Sequence, residues 1–126
     1  MKKKQIFIVD DNVMFAEMLY DHLCRYPGFE IKRFGTGEEC LNNLHLNPDL
    51  IILDYYLNDA YKDAANGLQI LHEISNKKSD AQVIMLSSQQ KYGVAAQTIS
   101  QGAKHYVIKD ENAFQNIDRI LKEIFQ

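Results

Sequence analysis

Tryptophan is absent from this chain, proline and cysteine occur only twice each, and neither sign of charge dominates, the formal net charge being -3. Each shortage removes a class of function. A balance so close to neutral offers no large basic surface, so direct nucleic-acid binding is not expected. Cys24 and Cys40 show no metal-ligand spacing, and His22, His45, His72 and His105 are scattered; no zinc pattern results, and the thiols read as reduced and buried. No window approaches the roughly 20 apolar residues of a membrane span. No apolar run of signal-peptide length follows the basic start Lys2 to Lys4 either, so the expected location is the cytoplasm, with no membrane partner. What the chain does have is 126 residues with 46% hydrophobic content, enough for one domain with a sizeable core.

Strand and helix signals alternate along it. "QIFIV" (5–9), "FEIKRF" (29–34), "LIIL" (50–53), "QVIMLS" (82–87) and "HYVI" (105–108) are short apolar runs rich in Ile, Val, Phe and Tyr. Between them lie segments of helical period. Val13 to Tyr26 puts Phe15, Leu19 and Leu23 on one stripe and stops at "PG". "TGEE" (36–39) has the form of a capping box, with Thr36 as cap and Glu39 reaching back. Leu68, Ile70, Leu71 and Ile74 mark a third helix. A fourth covers about 91–101 and ends at Gly102, and a fifth carries Phe114, Ile117, Ile120, Leu121 and Ile124. Five βα units of this length predict an α/β fold, a doubly wound five-stranded parallel sheet with helices on both faces. The uniformly apolar "IFIV", "LIIL" and "VIML" suit strands covered on both sides.

In such sheets ligands gather at the carboxyl ends of the strands. There stand Asp10 and Asp11 after the first strand, Asp54 after the third, Ser87 and Ser88 at the fourth, and Lys109 after the fifth. Singly, each has an ordinary role as a helix cap, a turn hydroxyl or a solvated charge. Their concentration on one edge is what asks for a function. Carboxylates packed together repel one another, which raises at least one pKa or demands a cation. With oxygen ligands and no Cys or His beside them, the matching ion is Mg2+. A metal, a lysine and a hydroxyl around a carboxylate are what phosphoryl transfer to that carboxylate requires, and Asp54 would be the nucleophile.

At this point the chain resembles the receiver domains of two-component response regulators. The matched pieces are "IFIVDDN", "PDLIILDYYL", "NGLQIL", "VIMLSS" and "GAKHYVIKD", in order and spread over essentially the whole chain. The resemblance implies a flavodoxin-like (βα)5 fold with strand order 2-1-3-4-5. It makes Asp54 the phosphoacceptor for a histidine kinase or histidine phosphotransfer protein. Asp11 would bind Mg2+ directly, Asp10 directly or through water, and Asp54 and the backbone carbonyl of Tyr56 would complete the protein's ligands. Ser87 and Lys109 would bind phosphoryl oxygens, and Tyr106 would be the aromatic switch residue that turns inward when Ser87 is drawn to the phosphoryl group. Tyr56 and Gln89 take the positions that flank the water which hydrolyses the acyl phosphate. The fourth helix, fifth strand and fifth helix would form the face for a downstream output protein or a homodimer.

Two departures from the family pattern stand out. Twelve residues, "YYLNDAYKDAAN", separate Asp54 from Gly67, about five more than most receivers have, and extend the loop beside the site. Asp110 follows Lys109 where many members have Pro, so a trans bond is expected there. The expectation is a single receiver domain over 1–126, ending with its fifth helix and without room for an output domain. It would act as a stand-alone regulator, as a relay intermediate or as a piece of a larger regulator. Two alternatives are a small Mg-dependent aspartyl phosphohydrolase and a phosphorylation-independent interaction module. Such a hydrolase typically has a second acid two residues after its nucleophile, where this chain has Tyr56.

Overall fold

The computed structural model describes residues 2–57, 65–77, 79–88 and 92–125. Strands β1 (Lys4–Val9), β2 (Phe29–Phe34), β3 (Leu50–Asp54), β4 (Gln82–Ser87) and β5 (His105–Ile108) alternate with helices α1 (Val13–Leu23), α2 (Gly37–Asn42), α3 (Gly67–Asn76), α4 (Tyr92–Ser100) and α5 (Ala113–Ile124). All strand pairs are parallel and the order is 2-1-3-4-5, as the resemblance implied.

The double coverage read from the apolar runs follows from the two-residue period of a strand. Ile6, Ile8, Ile52 and Leu86 turn to one face, where α1 and α5 close the core with Leu19, Leu23, Ile117 and Leu121. Phe7, Val9, Leu53 and Met85 turn to the other, against Cys40 of α2 and Ile70, Leu71 and Ile74 of α3. The register levels the strand ends. Val9 pairs with Leu53, Leu53 with Met85, and Ser87 with Ile108, so Asp10, Asp54, Ser87 and Lys109 emerge at one rim.

Several local expectations need correction. Helix α1 stops at Leu23, three residues before Tyr26, because Pro27 disfavours helical backbone in the residue before it and the chain turns off through Cys24. Cys24 is exposed there, and of the two thiols only Cys40 is buried. Thr36 does cap α2, but the Glu39 carboxylate accepts the Thr36 hydroxyl at 3.2 Å instead of reaching its backbone. A complete capping box sits instead at the start of α3, where Asn66 and Gln69 exchange backbone N–H bonds at 3.0 and 2.8 Å. A 3-10 turn, Leu44–Leu46, has no counterpart in the sequence pattern. No peptide bond is cis among the described residues, so Lys109–Asp110 is trans as expected.

The start of α3 lies directly on the end of β3. The Gly67 N–H donates to the Tyr55 carbonyl at 2.9 Å, and a Cβ on Gly67 would fall 2.4 Å from the Asp54 carbonyl oxygen and 2.7 Å from Tyr55 Cα. Both neighbours are backbone, so neither can swing away. Gly67→Ala is therefore expected to lower stability by about 2 kcal/mol or more in urea denaturation. Gly28→Ala, with nothing within 4 Å of its added carbon, should stay within about 1 kcal/mol of wild type. Equal midpoints for the two variants would show that the approach relaxes freely.

Candidate functional site

The doubled aspartate closes β1 and begins α1 in one stroke. Asp10 accepts the Asn12 N–H on Oδ1 at 2.9 Å, and Asn12 in turn caps α1 by accepting the Phe15 N–H at 3.0 Å. The first turn of the helix is thereby tied to a carboxylate that is itself 2% exposed. Asp11 stands beside it at intermediate exposure. Across the β1–β3 pairing, Asp54 is equally buried and accepts the Tyr56 N–H on Oδ1 at 3.2 Å. One carboxylate oxygen from each of Asp10, Asp11 and Asp54 lies within 4.8 Å of the others.

Lys109 enters from the end of β5, its backbone N–H held by the Ser87 carbonyl at 2.9 Å. Its Nζ is 2.8 Å from Asp10 Oδ2 and 3.4 Å from Asp54 Oδ1. Ser87 is fully buried at the end of β4, beside Tyr106, which stands half-buried on the neighbouring strand β5. Burial pushes the Tyr106 phenol up, and the Ser87 side chain opposes the shift.

Among the described residues, charge does not balance here: three carboxylates meet one ammonium, and burial, then the Asp10 carboxylate, push the Asp54 carboxyl up to about 8 against the pull of Lys109 and the Tyr56 N–H. Asp10 Oδ2 is buried and has no well-directed hydrogen bond; its contact with Lys109 is a Coulombic one. A buried carboxylate oxygen whose ammonium partner is shared with Asp54, in a group of three carboxylates with neither sulfur nor imidazole, fits a hard divalent cation such as Mg2+.

The raised Asp54 carboxyl has a consequence for stability. Between the ordinary carboxylate range and about pH 8 the folded protein holds a proton that the unfolded chain has released. The stabilisation from that proton is full at acid pH and is lost as pH rises toward about 8. In the absence of divalent cations, Asp54→Asn should therefore exceed wild type in stability by on the order of 2 kcal/mol at about pH 8, with the gap closing near pH 4. Thermal melts across this range check it; a gap that does not change with pH would count against the buried charge.

Of the residues singled out in the sequence, Asp10, Asp11, Asp54, Ser87 and Lys109 occupy one rim, with Tyr56 and Tyr106 beside it. Gln89, and residues 58–64 of the extended loop, lie outside the described residues. Two neighbours escaped the sequence reading. Asn12 was legible as a helix cap but not as a partner of Asp10. Phe15, whose ring lies under the Lys109 ammonium at 4.5 Å from centroid to Nζ, looked like an ordinary member of a core stripe.

Comparison with known proteins identifies the family. Residues 6–122 match the response regulator receiver domain family. The transcriptional regulatory protein MalR of Bacillus subtilis is 31% identical over 108 residues, covering 82% of this chain and 43% of that protein. The chemotaxis protein CheY of Listeria monocytogenes is 28% identical over 122 residues, with 95% and 94% covered. The chain thus spans less than half the length of transcriptional regulators such as MalR, and nearly all of the chemotaxis protein. Among solved structures, the fold is shared with the receiver domain of Francisella response regulator 1452 (TM-score 0.85, 17% identity, 98% and 97% covered) and the response regulator domain of Thermotoga maritima CheB (TM-score 0.80, 23% identity, 99% and 96% covered). With its 2-1-3-4-5 sheet and acidic rim, the chain belongs to the receiver domains of two-component response regulators.

Proposed function

We propose that this receiver accepts a phosphoryl group on Asp54 in a Mg2+-dependent reaction and signals its arrival through Ser87 and Tyr106. The observation that carries the reading is the buried Asp54 carboxylate facing Asp10, Asp11 and the Lys109 ammonium. An oxygen of Asp54 attacks the phosphorus of a phosphohistidine, the P–N bond breaks, and the donor's imidazole takes up a proton. Asp54 must be ionised to attack, so its proton has to leave first. Mg2+, when held by Asp10, Asp11, Asp54 and the Tyr56 carbonyl, would supply the charge neutralisation that favours this and admits a dianionic donor. Lys109 pairs with one phosphoryl oxygen, and the Ser87 hydroxyl exchanges Tyr106 for another. That exchange frees Tyr106 to repack, which is how chemistry at Asp54 reaches β5.

A protein donor is favoured by the surface beside the site. Val13, Met14 and Met18 on the first turns of α1 are 76%, 73% and 54% exposed, an apolar patch next to the rim where a histidine kinase or phosphotransfer protein must approach. Tyr106 borders a groove with Ile108, Arg119 and Ile120, and this face of α4, β5 and α5 is the proposed contact for an output protein or a second copy. Tyr56 and Gln89 are proposed to flank the water that ends the signal. Neither side chain is a carboxylate or an imidazole able to draw a proton from that water, so self-dephosphorylation should be slow.

Incubation with acetyl phosphate and Mg2+, followed by intact-mass measurement, should add one phosphoryl group that is labile to base, and Asp54→Asn should abolish it. Equal labelling of the Asn variant would move the acceptor elsewhere.

A further inference from the structure

Among the described residues, the Lys109 ammonium touches Asp10 Oδ2 at 2.8 Å, Asp54 Oδ1 at 3.4 Å, and the face of the Phe15 ring, 4.5 Å from its centroid. On the proposed function, on which this inference rests, the first two contacts are the ones that change. Asp10 and Asp54 are the groups assigned to a divalent cation, and once a cation neutralises them their hold on the ammonium weakens. The ring carries no titratable group and offers a hard cation no oxygen, so its attraction for the ammonium persists.

The ring is also fixed from two sides. Phe15 is the third helical residue of α1, with its N–H on the Asn12 cap and the Asn12 N–H on Asp10. Its edge packs on Phe114 of α5, with centroids 5.7 Å apart and planes at 64°. Phe15, Met18 and Phe114 line an apolar cleft of about 500 Å3 that Lys109 borders, and the lysine side chain is 16% exposed, so the contact is largely shielded from water. Exposed Asp110 and Glu111 line the same cleft and offer the ammonium competing partners outside the site.

We infer that Phe15 is a positioning residue whose ring face holds the Lys109 ammonium over the phosphoacceptor when a divalent cation occupies the carboxylates.

The test uses beryllofluoride, a mimic of the phosphoryl group, titrated calorimetrically into wild type, Phe15→Leu and Phe15→Tyr at saturating Mg2+, with Mg2+ alone titrated in parallel. Phe15→Leu keeps the bulk and loses the π face; its beryllofluoride affinity should fall by about fivefold. Its Mg2+ affinity should match wild type, and Phe15→Tyr should restore beryllofluoride binding. Wild-type affinity in Phe15→Leu would overturn the inference, as would a Phe15→Tyr as weak as Phe15→Leu. A parallel loss of Mg2+ affinity would show general distortion of the site and overturn it too. Failure of wild type itself to bind beryllofluoride with Mg2+ would instead remove the functional reading, and the inference with it.

Discussion

Among the described residues, three carboxylates lie within 4.8 Å of one another beside one ammonium, so crowded negative charge is the constraint on this rim. At such a separation each like-charged pair repels by roughly 3 kcal/mol at an effective dielectric constant of about 20. Burial and the Asp10 carboxylate lift the Asp54 carboxyl to about 8, so in the absence of a cation the crowding favours a proton there. On the proposed function, a divalent cation would answer better, neutralising the rim and leaving Asp54 free to act as a nucleophile. On that reading, the same repulsion that costs stability would favour a hard cation at the rim.

The fold exists to impose that crowding. Parallel pairing in register brings the ends of β1, β3, β4 and β5 to one rim, and the apolar layers on both faces resist relaxation. Local hydrogen bonds then remove the remaining freedom. Asp10 is tied to α1 through Asn12, Asp54 to the following turn through Tyr56, and that turn to α3 through Gly67. Lys109 is placed by the Ser87 carbonyl, and Tyr106 lies on the strand that leads to Lys109, so the last two strands carry both the groups proposed to bind the phosphoryl group and the proposed path away from them.

Much of this was legible in the sequence because the signals were one-dimensional. Continuous apolar runs announce strands buried on both faces, and a charged residue at the end of such a run must sit at the rim; Asp10, Asp54 and Lys109 all follow from that rule. What stayed hidden depended on side-chain direction. Phe15 shares a helical stripe with Leu19 and Leu23, yet Leu19 and Leu23 are fully buried while Phe15 lies at the stripe's outer end under an ammonium. Glu39 fits a capping pattern, but its carboxylate chose the Thr36 hydroxyl over the backbone. Cys24 looked like a core thiol because periodicity ran on to Tyr26, whereas Pro27 ended the helix early and left it exposed.

The central claim is that a divalent cation replaces a proton on the Asp10–Asp54 pair. Calorimetric titration of Mg2+ at about pH 7, repeated in buffers of different ionisation enthalpy, counts the protons released on binding. With the Asp54 carboxyl raised to about 8, wild type should release close to one proton per Mg2+ bound, and Asp54→Asn should release none. Mg2+ binding without proton release in wild type would contradict the account.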